Sequence, residues 1–140
     1  MTQPSINIST DNALLDIDFI HAYLTESYWA RGIPRSAVEK SIRHSFCFGI
    51  YVDGQQAGFA RVITDFTTFA YLADVFVHPT FQGQGLGKEL VGHIMEHENL
   101  KGLKRWHLIT DDAQGLYARF GFQSPEQPQL HMERRQPPRY

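Results

Sequence analysis

Apolar positions recur along this chain with two periods. After a short extended stretch, "SINIS" at residues 5–9, Ile17, Ile20, Leu24 and Tyr28 fall at helical spacing and predict an amphipathic helix ending before Gly32. Ser36 and Glu39 stand at capping-box spacing with Pro34 as a second start signal, and Val38 and Ile42 then face one way, which predicts a second helix. The period then shortens to two. Phe46, Phe48, Ile50 and Val52 alternate, Asp53 and Gly54 tolerate positive φ, and an extended run continues from Gln55 to Thr64, the outline of a hairpin. Phe69 to Val77 is apolar on both faces except at Asp74, as a central strand is.

Further on, Leu90, Val91, Ile94 and Met95 give a helix its core stripe, and "RWHLIT" at residues 105–110 reads as the next strand. A strand, a crossover helix and a parallel strand follow one another. Asp111 or Asp112 is placed to cap a short helix that Gly121 ends, and "LHMERR" at residues 130–135 is expected to close the sheet. The order is mixed α/β. No repeat, low-complexity tract or linker interrupts it, so residues 1–140 are read as one domain with a flexible tail at 134–140.

Composition narrows the classes. At 140 residues, with 42% hydrophobic and 20% charged positions, the chain resembles an ordinary folding domain and neither a disordered nor a fibrous one. A net charge of -2 gives no electrostatic reason to bind nucleic acid or an anionic membrane. Cys47 is the only cysteine, which rules out an intrachain disulfide and fits a reducing compartment. The start "MTQPSINIST" lacks the basic and apolar regions of a signal peptide, so a cytoplasmic location is expected.

Candidate chemistry concentrates between the central strand and the next helix, where "QGQGLG" puts three glycines in six residues. Gly83, Gly85 and Gly87 let the backbone turn sharply and expose its amides beside the unpaired N–H groups of a helix start, a geometry suited to phosphate. A dinucleotide fingerprint would need glycine where Lys88 stands, and a Walker loop would need glycine at Gln82 and Ser or Thr at Glu89. Both readings fail. "HIMEH" matches a zinc-peptidase pattern, but His93, Glu96 and His97 lie opposite the apolar stripe and no third ligand is assigned, so a solvated face and no metal are expected.

The segment that remains, with Gln82, Gly85 and Gly87, resembles the Gln/Arg-x-x-Gly-x-Gly/Ala signature of the GNAT N-acetyltransferase superfamily. The resemblance extends to "DVFVHPTF" upstream and to "DAQGLYARFGF" downstream, similar to the family's acetyl-coenzyme A and leaving-group segment. It implies a twisted, mostly antiparallel mixed sheet flanked by helices and splayed beside the glycine loop. It also implies that acetyl-coenzyme A is held by the amides of Gln82, Gly83, Gln84, Gly85, Leu86, Gly87 and Lys88, with pantetheine pairing to the backbone of Val75, Phe76 and Val77. The family's common variant has arginine at the position of Gln82, so this loop carries one charge fewer.

The implied activity is direct transfer of an acetyl group to an amine in a ternary complex; the alternative is a regulatory protein that binds acyl-coenzyme A without catalysis. Transfer needs an unprotonated amine and a proton for the departing thiolate. By resemblance Tyr117 in "LYARFGF" is the proton donor. Asp74, sharing a strand face with Leu72 and Phe76, is the first candidate base, with His78 as the alternative. The resemblance sets "ESYWARG" over the acceptor cleft, with Tyr28 and Trp29 as an aromatic wall and Arg31 or Arg61 placed to pair with a substrate carboxylate. A small-molecule or peptide amine is the expected partner. A C-terminal edge strand would offer a homodimer its contact.

Overall fold

The computed structural model describes residues 3–140. Five strands, β1 (Ile6–Ser9), β2 (Phe46–Val52), β3 (Gln55–Thr64), β4 (Phe69–Val77) and β5 (Arg105–His107), form one sheet in chain order. The first four pair antiparallel and β4 pairs parallel with β5. Helices α1 (Ile17–Leu24) and α2 (Arg35–Arg43) cover one face, where Ile20, Leu24, Val38 and Ile42 bury against Cys47, Phe59 and Phe76. On the other, α3 (Leu86–Met95) and α4 (Gln114–Ala118) set Leu86, Leu90, Val91, Ile94 and Tyr117 against Phe48, Ile50, Val62 and Leu72. Burying an aromatic such as Phe59 completely stabilises by about 2–3 kcal/mol.

The strand rhythm is broken in one place that matters. Phe59 pairs with Phe76 and Arg61 with Ala73, so Ala60 alone opposes both Asp74 and Val75. Asp74 is the extra residue and takes φ 55°, left-handed backbone that costs a non-glycine residue about 1–3 kcal/mol unless its surroundings hold it there. The bulge moves Phe76 to the α1/α2 face while Leu72 stays on the α3/α4 face. Period-two counting therefore errs in giving Asp74, Leu72 and Phe76 one face. Beside the bulge, the β4–β5 pairing covers only Phe69–Tyr71 and Arg105–His107, and the two strands then part. The far half of β4 is left open on that side.

Several local expectations change. The first helix stops at Leu24 and does not reach Tyr28, because the Ser27 hydroxyl donates to the Leu24 carbonyl at 2.7 Å and accepts the Ala30 N–H at 3.1 Å, offering the backbone another partner. The capping box at Ser36 and Glu39 does not form: Pro34 starts the helix at Arg35, and Glu39 pairs with Arg35 one turn away. Neither Asp111 nor Asp112 caps α4; the Thr110 hydroxyl accepts the Ala113 N–H at 3.1 Å instead. The strand at 105–110 shortens to Arg105–His107 because β4 turns away from it. Residues 130–135 form no strand, and β5 remains the sheet's edge. His93 and His97 are not simply solvated, since His97 packs edge-on against Phe46 and Phe48 and His93 against Phe48.

Candidate acyl-transfer site

The glycine loop begins where β4 ends. The Gln82 side-chain amide donates to the Val77 carbonyl at 2.9 Å, tying the loop to the strand and giving this glutamine a structural function that an arginine there would fill differently. Gly83 and Gly85 take φ 81° and 77°, conformations that only glycine adopts without strain, and Gly85 starts α3 with no side-chain cap. The first N–H groups of a helix have no acceptor within it, so those of Leu86, Gly87 and Lys88 point out with the positive end of the helix dipole. Leu86 itself is buried, so its amide alone serves the surface.

Gly87 shows what the loop surrounds. A Cβ added there would lie 3.9 Å from Leu116 of α4 and 3.9 Å from Val77 of β4. It would enter the opening between the loop, the parted strand and α4. That opening has peptide amides at one end, the unpaired edge of Val75 and Val77 along one side, and Tyr117 on the helix opposite. An anionic head with an extended amide-bearing arm fits such a cradle.

Tyr117 is 8% exposed, wedged by an edge-on contact to Phe122 with ring centroids 5.9 Å apart. Burial first, then the Asp112 carboxylate and Tyr28, push its phenol up to about 12, so at neutral pH it keeps its proton and can donate it.

Across the opening stands a linked polar group. Trp29 Nε1 donates to Asp74 Oδ1 at 2.9 Å, Arg61 Nε donates to Asp74 Oδ2 at 2.8 Å, and the other end of Arg61 donates to the Ser45 hydroxyl at 3.1 Å. Both carboxylate oxygens of Asp74 are thus engaged, and the strained φ is held by the same contacts. The Asp111 N–H donates to the Tyr28 hydroxyl at 3.4 Å, so the segment after α1 bridges from β4 to the loop before α4. Tyr23 stacks on Phe76 at 4.0 Å and lies 6.3 Å from Trp29, extending the aromatic wall. His78 accepts the Thr80 N–H through Nδ1 and packs against Phe19.

The expected residues therefore assemble into two adjoining groups. Val77, the glycine loop and α4, which carries Tyr117, meet around Gly87; Tyr28, Trp29, Arg61 and Asp74, linked through the Asp74 contacts and the Tyr28–Trp29 edge, form a second group, the rim. Arg31 is exposed and outside both groups. The sequence carries no site signal for Tyr23 or Asp112. Tyr23 lies three residues after Ile20, a spacing that signals packing, and Asp112 reads in the sequence only as a helix cap. A recess of about 1200 Å³ includes Tyr117 but no residue from 74 to 88 and runs under residues 122–131. The backbone geometry of the glycine loop lies outside this recess and is the guide to an anionic ligand.

Comparisons with known proteins point to one family. The profile of the GNAT acetyltransferase domain matches residues 43–124. A protein of Xanthomonas campestris pv. campestris assigned to the GNAT acetyltransferases is 52% identical, with a TM-score of 0.92 over 97% of this chain and 96% of its own. A Gibberella zeae protein named as an acetyltransferase is 34% identical, covering 80% of this chain and 75% of its own. A Clostridium acetobutylicum protein crystallised with acetyl-CoA shares the fold alone, at 12% identity and a TM-score of 0.66 over 95% of this chain and 96% of its own.

Proposed function

This chain belongs to the GNAT acetyltransferase family, and from that premise we propose that it transfers an acetyl group from acetyl-coenzyme A to an amine directly, with both substrates bound together. The observation that carries this reading is the space at Gly87, between the glycine loop, the unpaired end of β4 and α4, the helix that carries the buried Tyr117.

Acetyl-coenzyme A supplies the activated thioester. The amides from Gln82 to Lys88 bind the pyrophosphate, and the backbone of Val75, Phe76 and Val77 pairs with the pantetheine amides as a further strand would. Metal ions have no part in the proposal. As the new N–C bond forms and the C–S bond breaks, the amine gives up a proton and the departing sulfur takes one. Tyr117 donates that second proton, and its elevated phenol value keeps it ready to do so at neutral pH. Asp74 acts through Arg61 and Trp29 as a positioning residue that holds the rim, because both its oxygens are already engaged. The amine's proton leaves through water or His78, which lines the groove beside Tyr23.

The direct test is Tyr117→Phe. Removing the hydroxyl is expected to lower kcat by about 10² or more while acetyl-coenzyme A binds as before. Near-normal turnover would remove Tyr117 from the role.

A further inference from the structure

The transfer reading leaves the acceptor unnamed, and the charges around the rim narrow it. Arg61 is the only cation in the linked rim group. Its Nε is held by Asp74 and its Nη1 by Ser45, and its side chain is 17% exposed, so its charge is already paired with a carboxylate and mostly buried. Arg31, the other candidate, does not line the groove beside α1. Neither of the two arginines expected to meet a substrate carboxylate thus brings an unpaired charge to the groove.

The remaining charges at the rim are negative. The Tyr28–Asp111 contact brings the loop carrying Asp111 and Asp112 against the aromatic segment, and the Asp112 carboxylate is anchored by the Thr110 hydroxyl at 3.3 Å. Burial is the first cause that raises the phenols of Tyr23, Tyr28 and Tyr117, and the negative charge of Asp112 adds to the rise at all three, which come from α1, the following loop and α4. Glu26 lines the adjoining groove of about 390 Å³ with Phe19, Tyr23, Ser27 and His78. Tyr28 and Trp29 meet edge-on at 5.0 Å, exposing aromatic faces at 51% and 40% residue exposure. Aromatic faces beside carboxylates favour an organic cation.

The reacting amine must be neutral when it attacks, so a lasting positive charge at this rim belongs to a second group on the same molecule. We propose that the acceptor is an aliphatic diamine or longer polyamine without a carboxylate, whose distal ammonium is held by Asp112 against Tyr23, Tyr28 and Trp29 while its other nitrogen receives the acetyl group. This deepens the transfer reading and rests on it.

The test compares three acceptors with the same reacting end: 1,5-diaminopentane, n-pentylamine and 5-aminopentanoate, whose far ends are cationic, neutral and anionic. Acetyl-coenzyme A dependent thiol release should give kcat/KM falling in that order, by about tenfold from the first to the second, through KM. Raising salt should compress the difference. Asp112→Asn, shown folded by its melting curve, should bring the diamine-to-monoamine ratio close to one. An amino acid used as well as the diamine, or a ratio unmoved by Asp112→Asn, would overturn the proposal. Release with none of the three while acetyl-coenzyme A still stabilises the fold would overturn it too and leave the transfer reading intact; loss of that stabilisation would remove the transfer reading itself.

Discussion

In the proposed transfer, Tyr117 and Asp74 divide the work by what their surroundings do to a proton and to a charge. The Tyr117 phenol is raised from its ordinary value to about 12, so the native state holds this proton across a range in which an unfolded chain has released it. That contribution to stability is complete below pH 10 and is lost as pH rises through 12. For catalysis, turnover should climb from pH 7 to about pH 10 as the amine loses its proton, with no falling limb in that interval. A decline centred near pH 9 would mean that the proton comes from another group. Asp74→Asn removes the ion pair but keeps an acceptor for Trp29. It leaves Arg61 mostly buried without its counter-charge, at a cost of about 1–3 kcal/mol in chemical unfolding. If Asp74 positions the rim, the acid limb of the pH profile persists in this variant and KM for the amine rises. Loss of that limb would make Asp74 the base.

At the scale of elements, the bulge in β4 decides where the site forms. All five strands, the last of them shorter than its pattern suggests, and the helix after the glycine loop can be read from the sequence because side-chain period and glycine punctuation are local signals. The bulge is not local. It appears as one polar residue in an apolar strand, and only pairing to β3 shows that Asp74 is the extra position, that Phe76 changes face and that β4 and β5 part. The glycine signature located the loop, whereas the contacts of Asp74 with Trp29 and of Asp111 with Tyr28 join residues 45 and 83 positions apart that no spacing rule connects. Asp112 escaped for the same reason. The opening itself can be tested at Gly87, where a Cβ has room but a longer side chain would fill the cradle. Gly87→Leu should leave the melting temperature of the free protein within a few degrees, since leucine favours a helix by up to about 1 kcal/mol over glycine. The same substitution should abolish stabilisation by acetyl-coenzyme A. Unchanged cofactor stabilisation in this variant would place the ligand elsewhere.

For the whole molecule, two packed faces put the parted strands between them. α1 and α2 with their following loop bring the aromatic rim from one side, and α3 and α4 bring the amides and Tyr117 from the other. Among the described residues no helix is long and apolar enough to cross a membrane. In the proposed reaction the acceptor meets the loop that carries Asp111 and Asp112 and the cofactor meets the peptide N–H groups at the start of α3, so the two substrates meet surfaces of opposite character. The central claim is that the glycine loop is a coenzyme A site and not only a turn. Thermal unfolding with acetyl-coenzyme A, beside NAD and ATP, tests it most directly. Ligand at 100 times its dissociation constant adds about 2.7 kcal/mol, several degrees for a domain of this size. The account predicts that shift with acetyl-coenzyme A alone; no shift at millimolar ligand, or an equal one with ATP, would contradict it.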